Sequence, residues 1–164
     1  MDSLRRILFV CSGNICRSPL AEAVLRHKLA QRGLEERFAL DSAGTVSDHL
    51  GQQSDPRMRR TAAAHGVTVD HRAQRVVVAD FDAFDLIIGM DDWHISTLES
   101  MKDGRDVEVR KMREFDPEVT EDADAWTAPD VPDPWYGGMR GFEEVFEMID
   151  RSCEVLVRQL EEQL

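Results

Sequence analysis

Residues 11–19, Cys11-Ser12-Gly13-Asn14-Ile15-Cys16-Arg17-Ser18-Pro19, constrain this chain more than any other stretch. They follow an apolar run, Ile7-Leu8-Phe9-Val10, and pass at once into a helical pattern. Such an order predicts a buried strand that turns sharply into a helix N-terminus. Gly13 and Asn14 suit the turn because both tolerate left-handed backbone angles. Ser18 is expected to cap the helix, with Pro19 at its first position. Leu20, Val24, Leu25 and Leu29 then share one helical face, and Gly33 ends it.

The rest of the chain alternates in the same way. Phe38 to Leu40, closing on Asp41-Ser42, reads as a second strand, and a loop runs from Ala43 to Ser54. Asp55-Pro56 opens a helix that stops near Gly66. Val76 to Val78 reads as a short extended piece and Asp80 to Phe84 as one helical turn. Leu86-Ile87-Ile88, between Asp85 and Gly89, is the pattern of a strand buried on both faces. A helix over Asp92 to Met101 and a fourth strand over Val107 to Val109 follow. The last helix carries one apolar stripe: Phe142, Val145, Phe146, Ile149, Cys153, Leu156, Val157, Leu160 and Leu164. Alternation of this kind predicts an α/β fold with a parallel sheet. No repeat or linker divides the chain, so one domain over 1–164 is expected.

Ligands bind such sheets beyond the carboxyl ends of the strands. Cys11, Ser42 and Met90-Asp91 all fall at strand ends, which gathers three distant segments at one rim. Met112 to Gly141 lacks periodicity and exceeds the ~12–15 residues usual for a structureless loop. Within it lies Asp133-Pro134-Trp135-Tyr136-Gly137-Gly138.

The formal net charge of −12 argues against nonspecific binding to nucleic acid or to an anionic membrane surface. Any anion site must therefore be built locally. Three cysteines, Cys11, Cys16 and Cys153, are too few for a disulfide scaffold, and their spacing suggests no zinc site. Met1 to Arg6 carry no signal-peptide core, and no stretch is long and apolar enough to span a membrane. A reducing cytoplasm is the expected location.

A thiol at a strand-to-helix turn sits where backbone N–H groups and a helix N-terminus converge. These donors, with Arg17, favour the thiolate form and hold the oxygens of a phosphate or similar oxyanion. Expelling an alkoxide or phenolate also needs a proton donor. Asp133 suits that role, because Pro134 restricts it to extended angles and Trp135 and Tyr136 can wall a cleft. Asp130 is the alternative acid.

Cys11-x5-Arg17, within Val-Cys-Ser-Gly-Asn-Ile-Cys-Arg-Ser-Pro-Leu-Ala-Glu-Ala, closely resembles the phosphate loop of the low-molecular-weight protein tyrosine phosphatases. Asp41-Ser42-Ala43-Gly44-Thr45, Asp55-Pro56-Arg57, His71 and Asp133-Pro134-Trp135-Tyr136-Gly137 resemble family segments in the same order, over essentially the whole chain. The resemblance implies a four-stranded parallel sheet flanked by helices on both faces, with the phosphate loop between the first strand and first helix. It implies Cys11 as nucleophile, Arg17 as phosphoryl clamp and Asp133 as general acid and base, with a cysteinyl-phosphate intermediate. Ser12, Gly13, Asn14, Ile15, Cys16 and Ser18 would surround the phosphate, and Ser42 and His71 would support the loop with Asn14. The substrate would be a phosphotyrosine-containing protein, with inorganic phosphate and other oxyanions as product or inhibitors. No cofactor, metal, nucleic acid or membrane partner is implied.

Cys16 resembles a family cysteine, which implies a reversible disulfide with Cys11; a small packing residue is the alternative. Where many members place a bulky aromatic cleft wall, this chain has Asp48, with Trp135 as a possible substitute wall. Asp91 is a candidate partner for Arg17. His27, His49, His65 and His94 read as ordinary residues, and the run Glu114, Asp116, Glu118, Glu121, Asp122, Asp124 as a solvated loop. Related arsenate reductases need further cysteines than this chain has. Protein arginine phosphatases tend to carry Thr in place of Ile15 and lack the paired Trp135-Tyr136. A phosphotyrosine-binding module without turnover would usually have lost Cys11, Arg17 or Asp133.

Overall fold

The computed structural model describes residues 4–164; the expected lead-in over Met1 to Ser3 lies outside them. Strand β1 (Arg5–Cys11) is followed by helix α1 (Arg17–Gln31), strand β2 (Phe38–Gly44) and helix α2 (Pro56–Ala64). Then come a single turn α3 (Asp80–Ala83), β3 (Leu86–Gly89), α4 (Asp92–Lys102), β4 (Glu108–Lys111) and the long α5 (Met139–Glu162). The four strands form one parallel sheet in the order β2-β1-β3-β4.

β1 is central, and its strict alternation feeds two cores. Ile7 and Phe9 pack with α1 and α5 residues such as Leu25, Phe142 and Ile149. Leu8 and Val10 pack on the opposite face with Phe81, Ile95 and Leu98. That is why the run is apolar at every position: neither face of this strand meets water. Its register places Cys11 opposite Gly44 and Val10 opposite Gly89, so three strand ends reach the same rim.

Local differences from the pattern have identifiable causes. α1 begins at Arg17 with Cys16 as its N-cap, and Ser18 caps nothing. Its hydroxyl is drawn instead to Cys11 and Asn14. Val76 to Val78 forms no strand; Val76 N–H simply donates to Gly44 O. The fourth strand lies later than expected, at Glu108–Lys111. The long aperiodic segment contains two 3-10 turns, Met112–Phe115 and Pro134–Tyr136, and α5 already starts at Met139. Part of the acidic run is not solvated: Asp116 is buried, accepting from Arg113, Arg151 and the Glu118 N–H, and Glu114 accepts from Arg110.

The α5 stripe is buried from Phe142 to Leu160, but Leu164 lies beyond the helix and is 52% exposed. Ile149, wholly enclosed between α1 and the sheet, should therefore lose about 2–5 kcal/mol of stability on Ile149→Ala. Leu164→Ala should cost under about 0.5 kcal/mol. Urea unfolding of the two variants checks the contrast.

Candidate active site

Between β1 and α1 the backbone wraps into a cup. Its carbonyls face outward and are bonded: Cys11 O by Thr45 N–H, Ser12 O by Val46 N–H, Ile15 O by Asp55 N–H and Cys16 O by Leu20 N–H. Among the described residues, no N–H from Ser12 through Arg17 donates to a protein acceptor. These unpartnered donors stand at the helix N-terminus, which is the electrostatic arrangement that takes up an oxyanion. β2 packs tightly beneath the cup. A Cβ on Gly44 would stand 2.4 Å from Ser12 O, so only glycine fits there.

Asn14 sets the curvature. Its φ is +60°, the left-handed region. Its side chain then uses its full bonding capacity. Nδ2 donates to Ser18 Oγ at 2.8 Å and Ser42 Oγ at 3.1 Å. Oδ1 accepts from His71 Nε2 at 2.7 Å and from Gln74 N–H at 2.9 Å. Ser18 Oγ in turn lies 2.9 Å from Cys11 Sγ. Because Asn14 donates to that oxygen, the Ser18 hydroxyl proton has two acceptors in reach, the sulfur and, farther off at 3.4 Å, Ala43 O. Glu22 and Asp41 flank His71 Nδ1 at 3.5 and 4.0 Å. The ligand atoms of Glu22, Asp41 and His71 lie within 4.8 Å of one another, the one such cluster among the described residues. Its imidazole is already committed to Asn14, so the carboxylates orient His71.

Arg17 is buried and reaches across the rim. Nη1 donates to Asp91 Oδ2 and to Val131 O, both at 2.9 Å. Nη2 makes only longer contacts, 3.4 Å to Ser12 Oγ and 3.6 Å to Asp133 Oδ2. The predicted Arg17–Asp91 pair is thus present. Burial works to raise the Asp91 carboxyl, but His94 and Arg17 outweigh it and hold the group below the usual carboxylate range.

His94, read from sequence as ordinary, is part of this site. It is wholly buried at the start of α4. Nδ1 accepts from the N–H groups of Met90 and Asp91, at 3.2 and 3.1 Å, and Nε2 lies 2.9 Å from Ser12 Oγ. The available signal was Asp91-x-x-His94, a reciprocal cap in which Asp91 also accepts from His94 N–H.

Asp133 arrives from the long segment before α5. Its Oδ1 caps the 3-10 turn by accepting from Trp135 N–H at 3.0 Å, and Oδ2 faces Arg17. The alternative acid, Asp130, is engaged elsewhere. The buried Lys111 donates its three protons to Asp130 Oδ1 and Asp92 Oδ1, both at 2.6 Å, and to Ala128 O at 2.7 Å. Val131 between them donates to Met90 O at 2.8 Å and accepts from Arg17. Lys111 was invisible as a site element in the sequence. It anchors the segment that carries Asp133.

One cleft is lined by Cys11 and its loop on the floor, Asp133 and Trp135 on one wall, and Val46, Asp48 and His49 on the other. Tyr136 stands at the mouth, 90% exposed. His49 joins Asp48 on the rim and packs tilted against Trp135. Its ring centroid lies 5.4 Å from that of Trp135, and its edge would meet a Cβ on Gly13 at 2.8 Å. Arg57 backs Trp135 at 5.3 Å from the ring centroid and donates to its carbonyl. Cys16 also lines the cleft, as a free thiol like Cys11 and Cys153. Burial, then the charges of Asp55, Cys11 and Asp133, push the Cys16 thiol far up, with Arg57 opposing. Cys16 is therefore protonated at neutral pH. Cys153 is core, as expected.

Two outcomes follow from these contacts. Burial pushes His94 down to about 4, partly opposed by Asp91 and reinforced by Arg17. A histidine depressed on folding is neutral in both states above its unfolded value of about 6.5, and below that the unfolded chain alone takes up the proton. Stability should therefore fall by on the order of 3 kcal/mol as pH drops from about 6.5 to about 4, and His94→Gln should flatten that window in urea titrations. For the anchor, Lys111→Met should speed amide exchange at Val131 about tenfold or more; an unchanged rate would remove Lys111 from this role.

Comparisons with known proteins agree with this architecture. The family model described as low molecular weight phosphotyrosine protein phosphatase matches residues 6–164. A low molecular weight protein-tyrosine-phosphatase of Streptomyces coelicolor is 41% identical over 161 residues, covering 97% of this chain and 95% of that protein. The crystal structure of an Entamoeba histolytica protein tyrosine phosphatase with Hepes in its active site superposes with a TM-score of 0.85 at 40% identity, covering 97% of this chain and 98% of that one. YfkJ from Bacillus subtilis gives 0.86 at 36% identity, covering 98% and 97%. With its parallel sheet, its cup at the end of β1 and this similarity over nearly its full length, the chain belongs to the low molecular weight phosphotyrosine protein phosphatase family.

Proposed function

We propose that this chain, acting as one domain over 1–164, hydrolyses phosphotyrosine in proteins. The cup holds three phosphoryl oxygens on its inward N–H groups. Arg17 Nη2, the end of the guanidinium with only long contacts, takes part of the same charge. Cys11 Sγ attacks phosphorus in line while Asp133 protonates the departing phenolic oxygen, leaving a cysteinyl-phosphate. Water then attacks phosphorus, Asp133 takes its proton, and the Cys11–phosphorus bond breaks to release inorganic phosphate. Ser18 steadies the sulfur in both steps. Asn14, Ser42 and His71 keep the cup's shape, while Gly13, Ile15 and Cys16 complete its floor.

The observation that carries this reading is the placement of Asp133 across one cleft from Cys11, facing Arg17 at 3.6 Å. A nucleophile, an anion cup and a proton donor from distant parts of the chain converge on a volume suited to one phosphate. Trp135 and Tyr136 offer aromatic surface for a phenolic leaving group, and Asp48 and His49 set the opposite side. No helix among the described residues is long and apolar enough to cross a membrane. A reducing cytoplasm, which keeps Cys11 free, suits the reaction.

Cys11→Ser should abolish turnover of a phosphotyrosine peptide. Asp133→Asn should lower kcat by about 10²–10⁴ for phenyl phosphate, and less for p-nitrophenyl phosphate, whose better leaving group needs less protonation. Assays of phosphotyrosine, phosphoserine and phosphoarginine peptides side by side test the substrate class. A preference for phosphoarginine would overturn the specificity while leaving the nucleophile in place.

A further inference from the structure

The contacts of Ser12 contain more than a loop position. Its Oγ lies 2.9 Å from His94 Nε2 and 3.4 Å from Arg17 Nη2. His94 Nδ1 receives two backbone N–H groups, from Met90 and Asp91. Asp91 Oδ1 also lies 3.2 Å from Nδ1, but it already accepts from His94 N–H, and a proton on Nδ1 would leave the Met90 and Asp91 N–H groups without this acceptor. Two donors against one acceptor favour the ring whose single proton sits on Nε2. That proton points at Ser12 Oγ. Arg17 has only protons to offer. A serine hydroxyl has two lone pairs and one O–H. Both lone pairs face N–H donors, and among the described residues no carbonyl or carboxylate accepts the O–H. The hydroxyl proton is left with one direction, into the cleft that Ser12 lines.

We infer that Ser12 is a substrate-contacting hydroxyl that donates its proton to a phosphoryl oxygen, and that His94 is the positioning residue that forces this orientation. The inference rests on the phosphatase reading above for its ligand; it goes beyond Ser12 as a loop position around the phosphate by giving its hydroxyl a donor role and His94 the role of orienting it. The cup's backbone donors are the same whatever side chain occupies position 12. A hydroxyl there adds one more donor, on the side of the anion nearest Asp133 and the guanidinium. The order of the relay is fixed: Met90 and Asp91 N–H groups hold the ring, the ring holds the oxygen, and the oxygen presents its proton. Reversing its direction would move the ring proton to Nδ1, where Asp91 Oδ1 alone could take it and both backbone donors would lose their acceptor. The low proton affinity of the buried ring agrees with this, since a cationic His94 would present a proton to those same donors.

The same contacts separate His94 from a purely structural cap. Asn at position 94 can keep an acceptor near the Nδ1 position and so preserve the cap, but it is too short to reach Ser12. Calorimetric titration of inorganic phosphate into the wild type, Ser12→Ala, His94→Asn and the double variant reads binding without turnover. Ser12→Ala should weaken phosphate about tenfold or more, the scale of a hydrogen bond to a charged group. His94→Asn should weaken it by at least threefold with its unfolding midpoint near that of the wild type, and the double variant should bind no worse than Ser12→Ala. Imidazole ¹⁵N shifts should show the Nε2–H tautomer for His94. Wild-type phosphate affinity in Ser12→Ala, additive losses in the double variant, or an Nδ1–H tautomer would each overturn the inference. A wild type that binds phosphate but turns over no phosphotyrosine peptide would instead overturn the phosphatase reading, leaving the Ser12 contact intact.

Discussion

Asn14 in its left-handed conformation is the constraint on which the rest of the site depends. A chain leaving a strand for a helix in so few residues must bend, and bending turns every peptide in the loop the same way. The carbonyls of Cys11, Ser12, Ile15 and Cys16 are taken by surrounding N–H groups, and the loop's own N–H groups are left over. Such a shape is unfavourable in isolation, because several donors converge with nothing between them. It persists because four hydrogen bonds saturate the Asn14 amide, drawn from α1, β2 and the segment at residues 71–74. Much of the fold near the rim supplies those four partners. β2 exists opposite β1 in a register that puts Ser42 and Gly44 beneath the loop, and Glu22 on α1 faces His71.

The second constraint is charge. The chain is strongly acidic, yet among the described residues it buries two cations, Arg17 in the cleft and Lys111 at the end of β4. A buried cation is tolerated only with close partners. Adjacent residues provide them: Asp91 holds Arg17 and Asp92 holds Lys111, so the N-terminus of α4 anchors both. From there the anchoring passes to Ala128, Asp130 and Val131, and so to Asp133. The segment that carries Asp133 is long and largely irregular. Its position is set by these few polar contacts rather than by an apolar face of its own.

Much of the fold was legible because burial leaves a periodic trace. Ile7 to Val10 and Leu86 to Ile88 are apolar at every position since both faces of the sheet are covered, and the α5 stripe repeats at helical spacing. Leu164 continued that spacing past the point where the helix ends, and periodicity alone cannot see an end without a cap signal. Ser18 looked like a cap for a similar reason. Sequence registers a helix start, but a hydroxyl has several possible partners, and here Cys11 and Asn14 took it.

What the sequence determined by itself is the chemistry: a thiol and a guanidinium at fixed spacing on a strand-to-helix turn, and a carboxylate before Pro-Trp-Tyr-Gly. Those groups are local in the chain, and their spacing reflects the loop that must hold them. Only the tertiary structure decided which polar residues come to lie against those groups and the segments that carry them. His94, Lys111 and His49 carry no local motif strong enough to betray them, since each acts on a partner more than 15 residues away. Their roles arise where β3, α4, β4 and the loop after β2 meet the rim. Which side chains lose their water there, and must find partners among themselves, is a property of the packing and not of any one segment.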